Sequence, residues 1–219
     1  MITESSYNGL ANSAYNVQPS KAKSNGEETV VKNTVITDET TGQSFQVLKV
    51  EDNTANGMQA MAVAPVDKAG NVDTRQVVIA YAGTNSTDVL DLLTDVQQVG
   101  LGQSSLIIPN AAAGLTEELD TQVETALSFA KAVEKAYPRA TITTTGHSLG
   151  GSLSMYVSLK QGYASTTYNG PDISQMISDK EIKYMQEHRE QFRNYRNPHD
   201  IIGNITGNKT KSAIYPDTP

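Results

Sequence analysis

The sequence predicts an α/β fold: a mostly parallel central sheet with helices on both faces, entered through antiparallel N-terminal strands. Three observations predict it. After residue 76, strand-like and helix-like patterns alternate, as βα units of a parallel sheet do. Before residue 76, three strand patterns follow one another with only turn-type connections between them, which favours antiparallel pairing. Near the middle of the chain, Thr145-Gly146-His147-Ser148-Leu149-Gly150-Gly151 joins a β-branched run to a helix-like segment, so that Ser148 stands at a tight strand-to-helix corner.

The chain has 219 residues, enough for one domain with a substantial core, and we expect residues 1–219 to form a single domain. Its 24 acidic against 17 basic residues give a net charge of −7. No basic face is implied, so nucleic acid is not expected as a partner. There is no cysteine, which rules out disulfides and thiolate zinc sites. We expect no cofactor and no metal. No apolar run reaches membrane-spanning length. Met1-Ile2-Thr3-Glu4 lacks the charged and apolar regions of a signal peptide, which leaves the cytosol, or export without a cleaved signal.

Taken in order, Tyr7, Leu10, Ala11, Ala14 and Tyr15 recur at helical spacing and predict a short first helix. Residues 19–28 are polar and turn-rich and read as a loop, with Lys21 and Lys23 on a solvated surface. Strands are expected over 29–37, 44–50 and 58–66, the first two joined by a hairpin-type turn at 38–42. Residues 76–82 are a nearly continuous apolar run, as a central strand buried on both faces requires. Gly83-Thr84-Asn85-Ser86-Thr87-Asp88 follows, either a place for a backbone N–H to face a substrate or a plain loop with Asp88 capping a helix. Residues 89–99 have helical spacing. Residues 100–114 read as a lid or as a connector packed on the core.

The clearest helix is 116–137, with one apolar face through Leu119, Val123, Ala126, Leu127, Ala130 and Val133, stopped by Pro138. Strand 141–144 then enters the Ser148 corner, and helix 153–160 leaves it. A strand at 164–168, a helix at 173–189 and a last strand at 191–196 follow. The tail from residue 201 is Gly/Asn/Thr-rich with little pattern.

The chemistry starts at Ser148. In a Gly-x-Ser-x-Gly elbow, small neighbours let the strand and helix cross closely while the serine is held clear of the sheet edge. The following helix aims free N–H groups at the place where an oxyanion forms. A serine hydroxyl needs a base, and the base needs an orienting carboxylate. Asp172 and Asp200 both follow strands after the elbow. Asp200 is preferred, because the acid usually comes one strand later than the strand after the elbow. Only His147, His188 and His199 exist. His147 adjoins the serine, would point elsewhere, and is expected to be a packed, hydrogen-bonded residue. His188 sits in a charged helix, and His199 adjoins Asp200. No histidine follows Asp200, so we expect either a base beyond residue 219 in a longer parent protein, making this domain C-terminally shortened, or an incomplete site.

The elbow Gly146–Gly151, the stretch Val77-Val78-Ile79-Ala80-Tyr81-Ala82-Gly83-Thr84 with Asp88 and Leu92-Leu93-Thr94-Asp95, and Tyr168-Asn169-Gly170-Pro171 together resemble the class 3 lipases of the α/β-hydrolase fold. The usual Phe-Arg before the glycine is Tyr81-Ala82 here. The resemblance implies Ser148 as nucleophile, the N–H groups of Thr84 and Leu149 as oxyanion hole, and Asp200 as the acid orienting a later histidine. It implies a lipid or phospholipid substrate, met by transient contact with a lipid surface.

Tyr7-Asn8-Gly9-Leu10-Ala11-Asn12-Ser13-Ala14-Tyr15 and the run from Asn197 to Asn204 further resemble lipase toxins of Gram-positive type VII secretion. That implies secretion without a cleaved signal and a cognate immunity protein. The leading expectation is a lipase or phospholipase A working through an acyl-enzyme. The alternatives are a catalytically incomplete binding module and a non-lipid esterase or acyltransferase.

Overall fold

In a computed structural model of the chain, residues 2–83, 111–204 and 206–216 are described. Among the described residues, the sheet has eight strands whose spatial order is their order in the chain. They are β1 Val35–Thr37, β2 Ser44–Asn53, β3 Met58–Val66, β4 Gln76–Tyr81, β5 Thr141–His147, β6 Ala164–Tyr168, β7 Phe192–Tyr195 and β8 Ala213–Ile214. β1 to β4 pair antiparallel and β4 to β8 pair parallel. The division falls at β4, where hairpin-length turns give way to helical crossovers.

The helices are α1 Glu4–Ser13, α2 Pro19–Asn25, α3 Ala111–Ala136, α4 Leu149–Gln161, α5 Asp179–Glu187 and α6 Ile201–Asn204, with a 3₁₀ turn at Ala14–Val17. None of the described helices is long and apolar enough to cross a membrane.

The period of two along the strands builds two cores. Met58, Ala60, Ala62 and Ala64 of β3 and Val77, Ile79 and Tyr81 of β4 face α3 and α4, where Val123, Ala126, Phe129, Ala130, Val133, Leu153 and Val157 cover them. Met61, Val63, Val78 and Ala80 face the other way, under Tyr7, Leu10, Ala14 and Val17 of the N-terminal arm. The expected helix periodicity of residues 7–15 is thus the periodicity of that cover.

Several expectations are corrected. Residues 19–25 form α2 rather than a loop: Pro19 sits in the first turn, Ala22 is buried, and Gly26 ends the helix at φ +72°. Lys21 is not simply solvated, because its Nζ donates to Gln59 Oε1 and the Gly83 carbonyl. Of the expected strand 29–37 only Val35–Thr37 pairs. The expected helix 173–189 is α5 alone, opened by a capping box in which Ser178 and Glu181 satisfy each other. Ile173 instead fills a small core with Met155, Met185 and Phe192. The tail carries α6 and β8. The helix expected at 89–99 and residues 100–110 of the lid or connector expected at 100–114 lie outside the described residues, while the remainder of that stretch belongs to α3, which begins at Ala111.

Candidate active site

β5 ends at His147 and α4 begins at Leu149, so Ser148 is the whole connection. Its backbone adopts φ +56° and ψ −131°, a conformation that L-residues with side chains rarely take. The glycines around it explain why the turn closes. A Cβ on Gly146 would lie 2.2 Å from the Gly150 carbonyl oxygen, and one on Gly150 would lie 2.2 Å from the Tyr81 carbonyl oxygen. β4, the elbow and α4 therefore meet backbone to backbone. Two further ties hold the corner: Ser148 N–H donates to Tyr168 O at 3.0 Å, and Gly151 N–H donates to Ser148 O at 2.8 Å. Ser148 is 6 % exposed, and its hydroxyl makes no hydrogen bond to another described residue.

Leu149 is the first residue of α4 and is buried. Its N–H is one of the free donors every helix N-terminus carries. Gly83 sits beside this end: a Cβ there would lie 2.9 Å from His147 O and 3.4 Å from Gly150 N. Thr84, the other expected oxyanion residue, is the next residue and lies outside the described ones.

The ends of β4 and β5 are also gripped from the N-terminal arm. Tyr15 Oη donates to His147 O at 3.4 Å and Lys21 Nζ to Gly83 O at 3.4 Å. The sequence did not mark this grip, because the two sides are 62 residues apart in the Lys21 contact. Burial pushes the Tyr15 phenol above its ordinary pKa, so it stays a donor.

The two candidate acids part company. Asp172 is buried and fully engaged: Oδ1 accepts from Ser174 N, and Oδ2 accepts from Thr210 N and Thr210 Oγ1 at 3.0 and 2.6 Å. It ties the tail down. Asp200 is partly exposed in the loop after β7, where Oδ1 accepts from Gly203 N at 2.7 Å and caps α6. That loop is held in place by Asn169, at φ +50° just past β6, whose Oδ1 accepts from Asn197 N at 2.8 Å.

Of the histidines, His147 lines a cavity of about 450 Å³ with Asn8, Asn12, Tyr168, Tyr195 and Arg196. Burial holds its imidazole below the ordinary histidine pKa, while the Asp200 carboxylate pulls it up. Against the expectation of a packed, hydrogen-bonded residue, the ring is only half-buried beside the cavity and makes no hydrogen bond to a described residue, Ser148 included. His188 caps α5, stacked on Tyr184, with Nδ1 at 2.8 Å from Tyr184 O. His199 is exposed. Among the described residues, no group of three His, Asp or Glu side chains is placed to hold a metal ion.

Arg196 carries no signal in the sequence, yet it is 1 % exposed. Its Nε donates to Gly170 O at 3.1 Å and its Nη1 to Gly207 O, while Nη2 is buried without a hydrogen-bond partner among the described residues. The guanidinium thus fastens the loop after β6 to the tail directly beneath the cavity.

Comparison with solved structures finds the same architecture in lipases. A triacylglycerol lipase, described as having a serine protease triad at its catalytic centre, matches at TM-score 0.52 and 18 % identity, over 90 % of this chain and 70 % of that one. A mutant of MDLA from Penicillium cyclopium matches at TM-score 0.51 and 15 % identity, over 99 % and 77 %. The Rhizomucor miehei lipase in its propeptide complex matches at TM-score 0.49 and 14 % identity, over 91 % of this chain, which spans 61 % of that lipase chain. The first two likenesses show the α/β fold of the class 3 lipase structures. No curated protein sequence matches significantly. The model of a phospholipase-like family, described as the Tle-like phospholipase domain, matches residues 7–214, and the chain belongs to that family.

Proposed function

We propose that this domain hydrolyses carboxylic esters of phospholipids through an acyl-enzyme on Ser148. The observation that carries the reading is the strained backbone of Ser148 between β5 and the free N-terminus of α4. Strain of this kind costs about 1–3 kcal/mol and persists where function holds it. Family membership supports the phospholipid as substrate.

In this reading Ser148 Oγ attacks the ester carbonyl. The Leu149 amide and, following the sequence, the Thr84 amide receive the developing negative charge. Each such donor contributes about 3 kcal/mol to lowering the barrier. Asp200 orients the imidazole that takes the serine proton. None of the three histidines hydrogen-bonds to Ser148. The reading therefore places that imidazole outside residues 1–219. The resemblance to type VII toxins supports a secreted role opposed by an immunity protein, with contact to lipid only during turnover.

The test is labelling of the full-length polypeptide by a fluorophosphonate, together with fatty-acid release from phosphatidylcholine vesicles. Label on the peptide containing Ser148, lost in Ser148→Ala along with fatty-acid release, is the expected result. A folded protein that neither labels nor hydrolyses would favour the binding-module reading, which the unpaired Ser148 motivates. Hydrolysis of soluble esters alone would favour a non-lipid esterase.

A further inference from the structure

β1 is the outermost strand of the sheet on its antiparallel side. Its register with β2 sets Val35 opposite Gln46, Ile36 opposite Phe45 and Thr37 opposite Ser44. Val47 N donates to Thr34 O, and Asp38 N donates to Gln43 O. Inward bonding alternates along an antiparallel ladder. Residues 34, 36 and 38 therefore face β2, and Val35 and Thr37 turn their N–H and C=O groups outward. No described element pairs with that side. Val35–Thr37 carries no lysine or proline to blunt the open edge, and the bulge just before it, where Asn33 (φ +73°) donates its N–H to Val47 O and Val47 N–H donates to Thr34 O, ends before Val35. Val35 is 56 % exposed and nearby Val31 is 52 % exposed.

A cavity of about 780 Å³ runs between this edge and α1. Leu10 and Phe45 line its apolar part. Its charged lining is Glu27, Glu28, Asp38 and Glu39, with no lysine or arginine. Asp38 is fixed there, accepting from Ser6 Oγ at 2.8 Å and Thr41 Oγ1 at 2.6 Å, and these hydrogen bonds help hold its carboxyl below the usual range.

We propose that this cleft docks an extended, cationic segment of a partner polypeptide, which adds a further strand to the sheet at β1. Main-chain bonds to Val35 and Thr37 supply the alignment, and the four carboxylates select lysine or arginine side chains. The shortness of β1 limits the added strand to a few residues. A second copy of this chain is a poor occupant. Pairing β1 with itself about a two-fold axis would bring the same carboxylates face to face. The proposal is independent of the Ser148 chemistry.

The probe is a synthetic peptide alternating lysine and valine, with a glutamate–valine peptide as its counterpart. Binding to the full chain is followed by residue-resolved amide exchange. The expected result is saturable binding of the cationic peptide that weakens with salt and slows exchange at Val35 and Thr37 at least tenfold. The anionic peptide should bind at least tenfold more weakly. Thr37→Pro should abolish binding, since it removes an outward N–H and no ladder bond. The exposed pair Glu27→Gln and Glu28→Gln should weaken binding severalfold without changing the melting temperature. Equal binding of both peptides, protection away from Val35 and Thr37, no binding at all, or self-association through β1 would each overturn the proposal.

Discussion

Gly146 and Gly150 pack against each other so closely that a methyl group on the first would sit 2.2 Å from the carbonyl oxygen of the second. The obstructing atom is backbone, so neither side can move aside. Gly146→Ala and Gly150→Ala should each destabilise the fold by about 3 kcal/mol in urea unfolding, the upper end of ordinary overpacking. Gly9 is the internal control. It lies within α1, and a Cβ there meets nothing within 4 Å. Gly9→Ala should stabilise by about 0.5–1 kcal/mol, since alanine removes only the conformational freedom of the unfolded chain.

Ser148 tests strain directly. At φ +56° and ψ −131°, glycine is at ease and alanine is not. Both Ser148→Gly and Ser148→Ala remove the hydroxyl. Ser148→Gly should nonetheless be more stable than Ser148→Ala by about 1 kcal/mol. Equal unfolding midpoints for the two variants would mean that the corner relaxes and stores nothing.

His147 makes stability depend on pH. Burial, the larger influence, depresses its pKa, and the Asp200 charge opposes this. A histidine buried in its neutral form binds its proton more readily when unfolded. Its contribution is thus fully present above about pH 6.5. It is lost as pH falls from there through the folded value. NMR titration of the His147 ring should give a pKa below 6.5, and Asp200→Asn should lower it further. A rise in that variant would show that the Asp200 charge does not reach the ring.

Arg196 should tolerate no lysine. Its fork serves Gly170 O through Nε and Gly207 O through Nη1. A single ammonium cannot reproduce that spread. Arg196→Lys should cost about 2–3 kcal/mol in urea unfolding. It should also raise amide exchange at Gly170 and Gly207 more than at the centre of β4.

The parts of the fold that were legible in the sequence are those where one strong pattern acts alone. Residues 58–66 and 164–168 were bounded as strands, and the structure places β3 and β6 on the same residues. The Ser148 corner was legible because Gly146, Ser148 and Gly150 stand together in one short stretch, although the atom that dictates Gly150 is the Tyr81 carbonyl oxygen of distant β4. α2 was not legible, because its sequence PSKAKSN is polar and its one buried contact, Ala22, is silent. β8 has two residues and is defined only by β7 beside it. Asp172 and Asp200 both follow strands, and strand order alone favoured Asp200. What the sequence could not show is that Thr210, 38 residues beyond Asp172, and Ser174 occupy its carboxylate. Arg196 stayed hidden because burial of a charged side chain is set by loops distant in sequence.

The strands stand in space in the order in which they are made. Each one leaving the ribosome finds its neighbour already waiting, and none has to be threaded between two earlier ones. The exception is the very first helix. Tyr7 Oη pairs with Thr143 Oγ1 on β5, and Glu4 is held by Arg193 and Tyr195 on β7, almost two hundred residues downstream. α1 is therefore made well before its seat is finished, and it stays undocked at β7 until Tyr195 has been made.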